Sequence, residues 1–69
     1  MQKITLNSSH VSTAQYDKEN SLLIVEFVSG DSYQYFDVPE FVYLQFIQAV
    51  SPGQFFADNI RYQYRYQKI

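Results

Sequence analysis

The chain has 69 residues, with seven acidic and five basic side chains, one histidine and no cysteine. Those counts exclude a disulfide framework, a thiolate metal centre and a histidine-rich one, so stability must come from burial in a single small core. A net charge of −2 argues against sequence-blind DNA binding, which depends on neutralising many phosphates.

Six Phe and seven Tyr supply the burial, each ring hiding about 150–250 Å². No segment approaches the roughly 18 apolar residues of a membrane span. The start MQKITLNSSH lacks the apolar stretch of a signal peptide. A single domain over residues 1–69, in the cytoplasm and without a membrane partner, is the expectation.

Residues 1 to 8 are polar and read as a lead-in, with Ser8 and Ser9 starting the first strand. His10 to Tyr16 reads as that strand, although Val11, Thr13, Ala14 and Tyr16 do not keep one alternation. Asp17-Lys18-Glu19-Asn20 is a polar turn. Leu22 to Val28 is the clearest strand, rich in β-branched and aromatic residues. Ser29-Gly30-Asp31 reads as a hairpin loop, Gly30 taking the positive φ it needs. Ser32 to Val38 is the third strand. A three-residue loop there sets Phe27 opposite Tyr33 and Val25 opposite Tyr35. Leu23, Val25, Phe27, Tyr33 and Tyr35 then share one face. Leu22, Ile24, Val28 and Phe36 share the other, which is too apolar to be left freely solvated.

Pro39 and Glu40 open a helix, proline in the first turn and a carboxylate at the positive end of the dipole. It runs to about Val50 with Val42, Tyr43, Phe46, Ile47 and Val50 on one stripe. Ser51-Pro52-Gly53 stops it. Gln54 to Ile60 is expected to form a short second helix presenting Phe55, Phe56 and Ile60. The fold class is therefore α+β: a three-stranded antiparallel meander against one main helix, then a short helix and an extended tail.

Charge divides sharply along the chain. Lys3 and Lys18 face all seven carboxylates in the first 59 residues, a local charge of −5, whereas the last ten carry +3. In that tail Tyr62, Tyr64 and Tyr66 are interleaved with Arg61, Arg65 and Lys68. Rings alternating with cations suit a polyanion with stackable bases. The alternation has strand period, so the tail either adds an edge strand or runs extended across the sheet. In either form the cations are expected to line one ridge, with Arg61, anchored by Ile60, as its firmest member.

Catalysis finds little support. Ser8, Ser9 and His10 on one strand do not converge as a nucleophile and base must. No spaced ligand set implies a metal, and no cofactor is implied. Tyr33 and Tyr35 read either as stacking platforms on an open sheet or as core under the helix; their shared face with Leu23, Val25 and Phe27 favours burial. Phe41 and Leu44 lie off the main helix stripe and form a small apolar patch, the basis of an alternative role in self-association or docking on a host protein.

The order Ser8-Ser9, Tyr16-Asp17, Leu23-x-Val25-x-Phe27, Gly30, Tyr33-Gln34-Tyr35, Val38-Pro39, Val42-Tyr43, Phe46, Ser51-x-Gly53, Phe55-Phe56, Ile60-Arg61, Tyr64 and Tyr66 resembles the KTSC domain. That family is named for its place at the C-terminus of some lysyl-tRNA synthetases and also occurs as a stand-alone bacterial or phage-borne protein. The resemblance implies a non-enzymatic module with RNA as the expected partner.

Overall fold

A computed structural model describes residues 2–69. Five strands and two helices follow in the order β1 (Ile4–Thr5), β2 (Val11–Asp17), β3 (Leu22–Phe27), β4 (Ser32–Tyr35), α1 (Glu40–Gln48), α2 (Pro52–Asn59) and β5 (Tyr66–Lys68). The strands form one antiparallel sheet in sequence order, each bonded to the next. The α+β class stands, but the sheet has five strands rather than three. The lead-in contributes β1, pairing Ile4 with Ala14, and the tail contributes β5.

The discordant pattern of β2 has a local cause. Val11 pairs with Phe27 but Thr13 pairs with Glu26, so Ser12 is an extra residue in a β-bulge. The bulge resets the alternation, and Val11 and Ala14, three positions apart, both reach the core. The bulge carbonyl is not idle: Ser12 O accepts the Leu6 N–H at 2.9 Å, which ties the β1 segment down.

The β3–β4 loop begins one residue earlier than expected. Gly30, at φ +98°, donates its N–H to Phe27 O, and the Phe27 N–H reaches Asp31 O at 2.8 Å. The loop is thus Val28-Ser29-Gly30, a turn followed by a left-handed glycine. Val25 pairs with Tyr33 and Leu23 with Tyr35, a slide of two residues from the expected register. A slide of two preserves the faces. Leu23, Val25 and Tyr35 are buried, with Phe27 and Tyr33 half-buried beside them.

Both helices pack on that face. Tyr43 of α1 stacks on Tyr16 at 4.9 Å, and the Tyr16 hydroxyl donates to Val38 O. Phe46, with no exposed surface, sits 6.2 Å from Phe55 and 6.0 Å from Phe56 and so joins α1 to α2. Among the described residues the opposite face of the sheet carries no helix. Leu22, Ile24 and Phe36 are half-buried there, diluted by Thr13, Gln15, Glu26, Gln34 and Gln67. Thr13 donates to the Glu26 carboxylate at 3.1 Å on this side. One face is thus covered by helix, and the other is neither buried nor freely solvated, because polar positions alternate with its half-buried apolar ones.

The main helix ends at Gln48, two residues short of its expected limit, and Val50 is fully exposed at 105% of its reference area. Pro52 opens α2 instead of merely stopping α1, since proline needs no N–H partner at a first helical position. Among the described residues no helix is long and apolar enough to cross a membrane.

Candidate functional site

Five rings converge where α2 meets the β3–β4 hairpin and β5. Phe56 stands edge-on to Phe27 and to Tyr35, with centroids 5.3 and 5.4 Å apart. Tyr33 is edge-on to Phe27 at 5.7 Å and stacked on Tyr35 at 6.5 Å. Tyr66, paired across the ladder with Tyr35, brings its ring to 5.8 Å from both Tyr33 and Tyr35. These are favourable separations for offset and edge-to-face rings. Exposure is graded, from buried Phe56 and Tyr35 through half-buried Phe27 and Tyr33 to exposed Tyr66.

The rings floor an open groove of about 1040 Å³. One wall is α2, through Pro52, Gly53, Gln54 and Ala57; the others are Asn7–Val11, the Val28–Asp31 turn, and Arg61 with Tyr62. Gly53 lets the first turn of α2 approach closely: a Cβ there would lie 3.0 Å from Ser8 Oγ. Ser8 Oγ is itself fixed, accepting the N–H groups of His10 at 3.1 Å and Val11 at 3.2 Å. Ser8 therefore closes the turn into β2 rather than starting the strand. Ser8 and Gly53 are two halves of one long-range contact, which no local pattern in the sequence announces.

Arg61 stands at the other end of α2. Its N–H bonds to Phe56 O at 2.9 Å and its neighbour Ile60 is completely buried, so its backbone is firmly held. The guanidinium lies 5.3 Å from the Tyr62 ring. Among the described residues the only ion pairs are Lys18–Glu40 and Lys68–Asp31, so Arg61 has no carboxylate partner. Burial pushes the Tyr35 phenol up to about 12, with the neighbouring Tyr33 adding to the rise and the Arg61 charge opposing it.

The continuous ridge expected over Arg61–Lys68 is divided. Arg61, Tyr62 and Gln63 form a turn, so strand alternation holds only over β5. Arg65 pairs with Phe36, whose N–H bonds to Arg65 O, and lays its guanidinium 4.7 Å over the Phe36 ring on the helix-free face. Lys68 is held by Asp31 at 3.4 Å. Tyr64 is half-buried against the core and turns toward a shallow hollow shared with Phe41 and Phe55. Only Arg61, Tyr62 and Tyr66 of the tail set meet at the groove.

Six of the seven carboxylates lie outside it. Asp17 ends β2, Glu19 lies in the β2–β3 turn, and Asp37 and Glu40 follow β4, at the opposite end of the sheet. The Val38 N–H to Ser21 O bond joins those two segments. Asp17 is held below the usual carboxylate range by the Asn20 side-chain amide it accepts from. Of the acids only Asp31 lines the groove, and Lys68 accompanies it. Phe41 and Leu44 are both exposed on α1, Phe41 at 63%. No cluster of three His, Asp or Glu among the described residues is placed to hold a metal ion.

The sequence profile of the KTSC domain matches residues 7–64, a span that takes in every wall of the groove up to Tyr62. The chain belongs to the KTSC domain family. It is 39% identical to an uncharacterized protein of Stutzerimonas stutzeri over 70 aligned positions, covering 100% of this chain and 99% of that one. It is 34% identical over 61 residues to a lysine–tRNA ligase of Nostoc, where the match spans 88% of this chain but 11% of the ligase. The crystal structure of a KTSC domain protein from Yersinia pestis superposes with a TM-score of 0.95 at 35% identity, covering 99% of this chain and 96% of that one. Of the residues that carry the resemblance, Ser8, Tyr33, Tyr35, Gly53, Phe56 and Arg61 line the groove of this KTSC domain, whereas Leu23, Val25, Val38, Val42, Tyr43 and Phe46 belong to its core.

Proposed function

We propose that this KTSC domain is a non-enzymatic binding module for single-stranded nucleic acid, RNA before DNA, acting in the cytoplasm. The observation that carries the reading is Arg61, an arginine without an acidic partner, beside exposed Tyr62 and Tyr66 at the mouth of a ring-floored groove. Aromatic faces stack on any base, and a guanidinium donates two parallel hydrogen bonds to a phosphate. Asp17, Glu19, Asp37 and Glu40 lie at the far end of the sheet, and Asp31 at the groove is paired with Lys68, which lessens the repulsion that a net charge of −2 would otherwise imply. The similarity to a segment of a lysine–tRNA ligase makes RNA the first polymer to try. Titration of fluorescently labelled single-stranded RNA at low salt is expected to show saturable binding. Arg61→Ala should weaken it at least about tenfold, the size of a lost charge-assisted contact, while Arg65→Ala, on the other face, should leave it nearly unchanged. Absence of binding at low salt overturns the reading.

A second reading rests on α1. Phe41 and Leu44 expose apolar surface one turn apart, and Phe41 borders a hollow of about 360 Å³ with Phe55 and Tyr64. Such a patch suits self-association or docking on another protein. Light scattering discriminates: a dimer converted to monomer by Leu44→Glu supports it, and a monomer for both proteins at high concentration removes self-association.

A further inference from the structure

We infer that the groove takes an unpaired stretch of about three to four nucleotides, held mainly by ring stacking with one phosphate on Arg61. The inference rests on the nucleic-acid reading above and narrows it to a ligand form and a mode of binding. Three observations carry it.

The first is charge. Among the described residues lining the groove, Arg61 is the only arginine or lysine. Lys68 is engaged by Asp31, and Arg65 lies over Phe36 on the opposite face of the sheet. One cation fixes one phosphate. For a single strand the logarithm of affinity falls against the logarithm of salt with a slope of about −0.7 per phosphate neutralised. A ridge of three cations would give a slope of about −2 on the same scale.

The second is length. The groove runs beside α2, from the contact of Gly53 with Ser8 and His10 at its first turn to Arg61 just past its end. Eight helical residues span about 12 Å at about 1.5 Å each. At about 3.4 Å per stacked nucleotide, that distance holds roughly three to four.

The third is access to ring faces. Tyr62 is 81% exposed and Tyr66 56% exposed, and both border the groove. A ring stacks only on a base whose face is free, whereas a duplex base is covered on both faces by its neighbours. The surface therefore discriminates against paired strands without reading base edges.

Fluorescence anisotropy with labelled oligouridylates of two to ten nucleotides, and with a hairpin whose stem has the same length, tests this over a range of salt concentrations. Affinity is expected to rise up to about three or four nucleotides and then level. The salt slope should be about −0.7, a loss of only about threefold between 50 and 200 mM salt. Tyr62→Ala should weaken binding about tenfold, the usual size for one stacked base. Its side chain is largely exposed, so an unchanged melting temperature will show that the fold is intact. A slope near −2, affinity still climbing at ten nucleotides, preference for the hairpin stem, or full affinity in Tyr62→Ala would each overturn the inference while leaving nucleic-acid binding in place. No binding of any oligonucleotide would remove the underlying reading and this inference with it.

Discussion

Phe46→Ala is expected to abolish most of the folding stability. Phe46 has no exposed surface and touches the ring pair Phe55 and Phe56, so α1 and α2 meet through it. Truncating a buried phenylalanine costs about 3–5 kcal/mol, part lost transfer energy and part cavity. A chain of 69 residues has a total stability of only about 3–10 kcal/mol. In a domain this small each kcal/mol moves the melting temperature by about 4–8 °C. A thermal melt followed by circular dichroism should therefore shift down by at least about 12 °C, or show no cooperative transition. A shift of a few degrees would mean that the two helices are held together by something other than this contact.

Alkaline pH should produce the second large effect, and Tyr35 is its main source. Burial, reinforced by Tyr33, lifts the Tyr35 phenol from its ordinary value of 10.0 to about 12. Its contribution is fully present below about pH 10, because both folded and unfolded chains then keep the proton. Between about pH 10 and about pH 12 the unfolded chain ionises first, binds fewer protons, and gains population. At about 1.4 kcal/mol per pH unit, reduced by solvent screening of a partly open ring edge, the loss amounts to about 1–2 kcal/mol. Tyr43, also raised by burial, adds in the same direction. Denaturant unfolding at a series of pH values should show this fall in the natural chain and a shallower one in Tyr35→Phe, which keeps the ring. Parallel falls for the two proteins would remove Tyr35 as the cause.

Much of this architecture is legible in the chain because side-chain alternation survives errors of register. Leu23, Val25, Phe27, Tyr33 and Tyr35 share a face whether the hairpin closes around Gly30 one residue early or late, since a slide of two returns every side chain to its side. The β2 bulge is legible only in retrospect: Val11 and Ala14 break the alternation, and the extra residue that repairs it has no signature of its own. Val50 misleads because helical spacing continues past the point where the backbone leaves the helix. At the site, Arg61 is anticipated because the apolar residue before it anchors it. Arg65 and Lys68 are not separable from it by composition. Their fates depend on a turn at Arg61–Gln63 and on partners, Phe36 and Asp31, far away in sequence. The Ser8–Gly53 contact is likewise tertiary, and a serine pair beside a histidine suggests chemistry before it suggests a backbone brace.

The outermost strands have a consequence for how the protein behaves in a crowded solution. β1 offers two residues and β5 three, with Lys3 flanking one margin and Lys68 lying within the other. A growing fibril needs a long, flat, uncharged margin on which the next chain can lay its backbone. Margins this brief, each marked by a charged side chain, offer little template, so a sheet rich in aromatic residues is poorly suited to adding further molecules side by side.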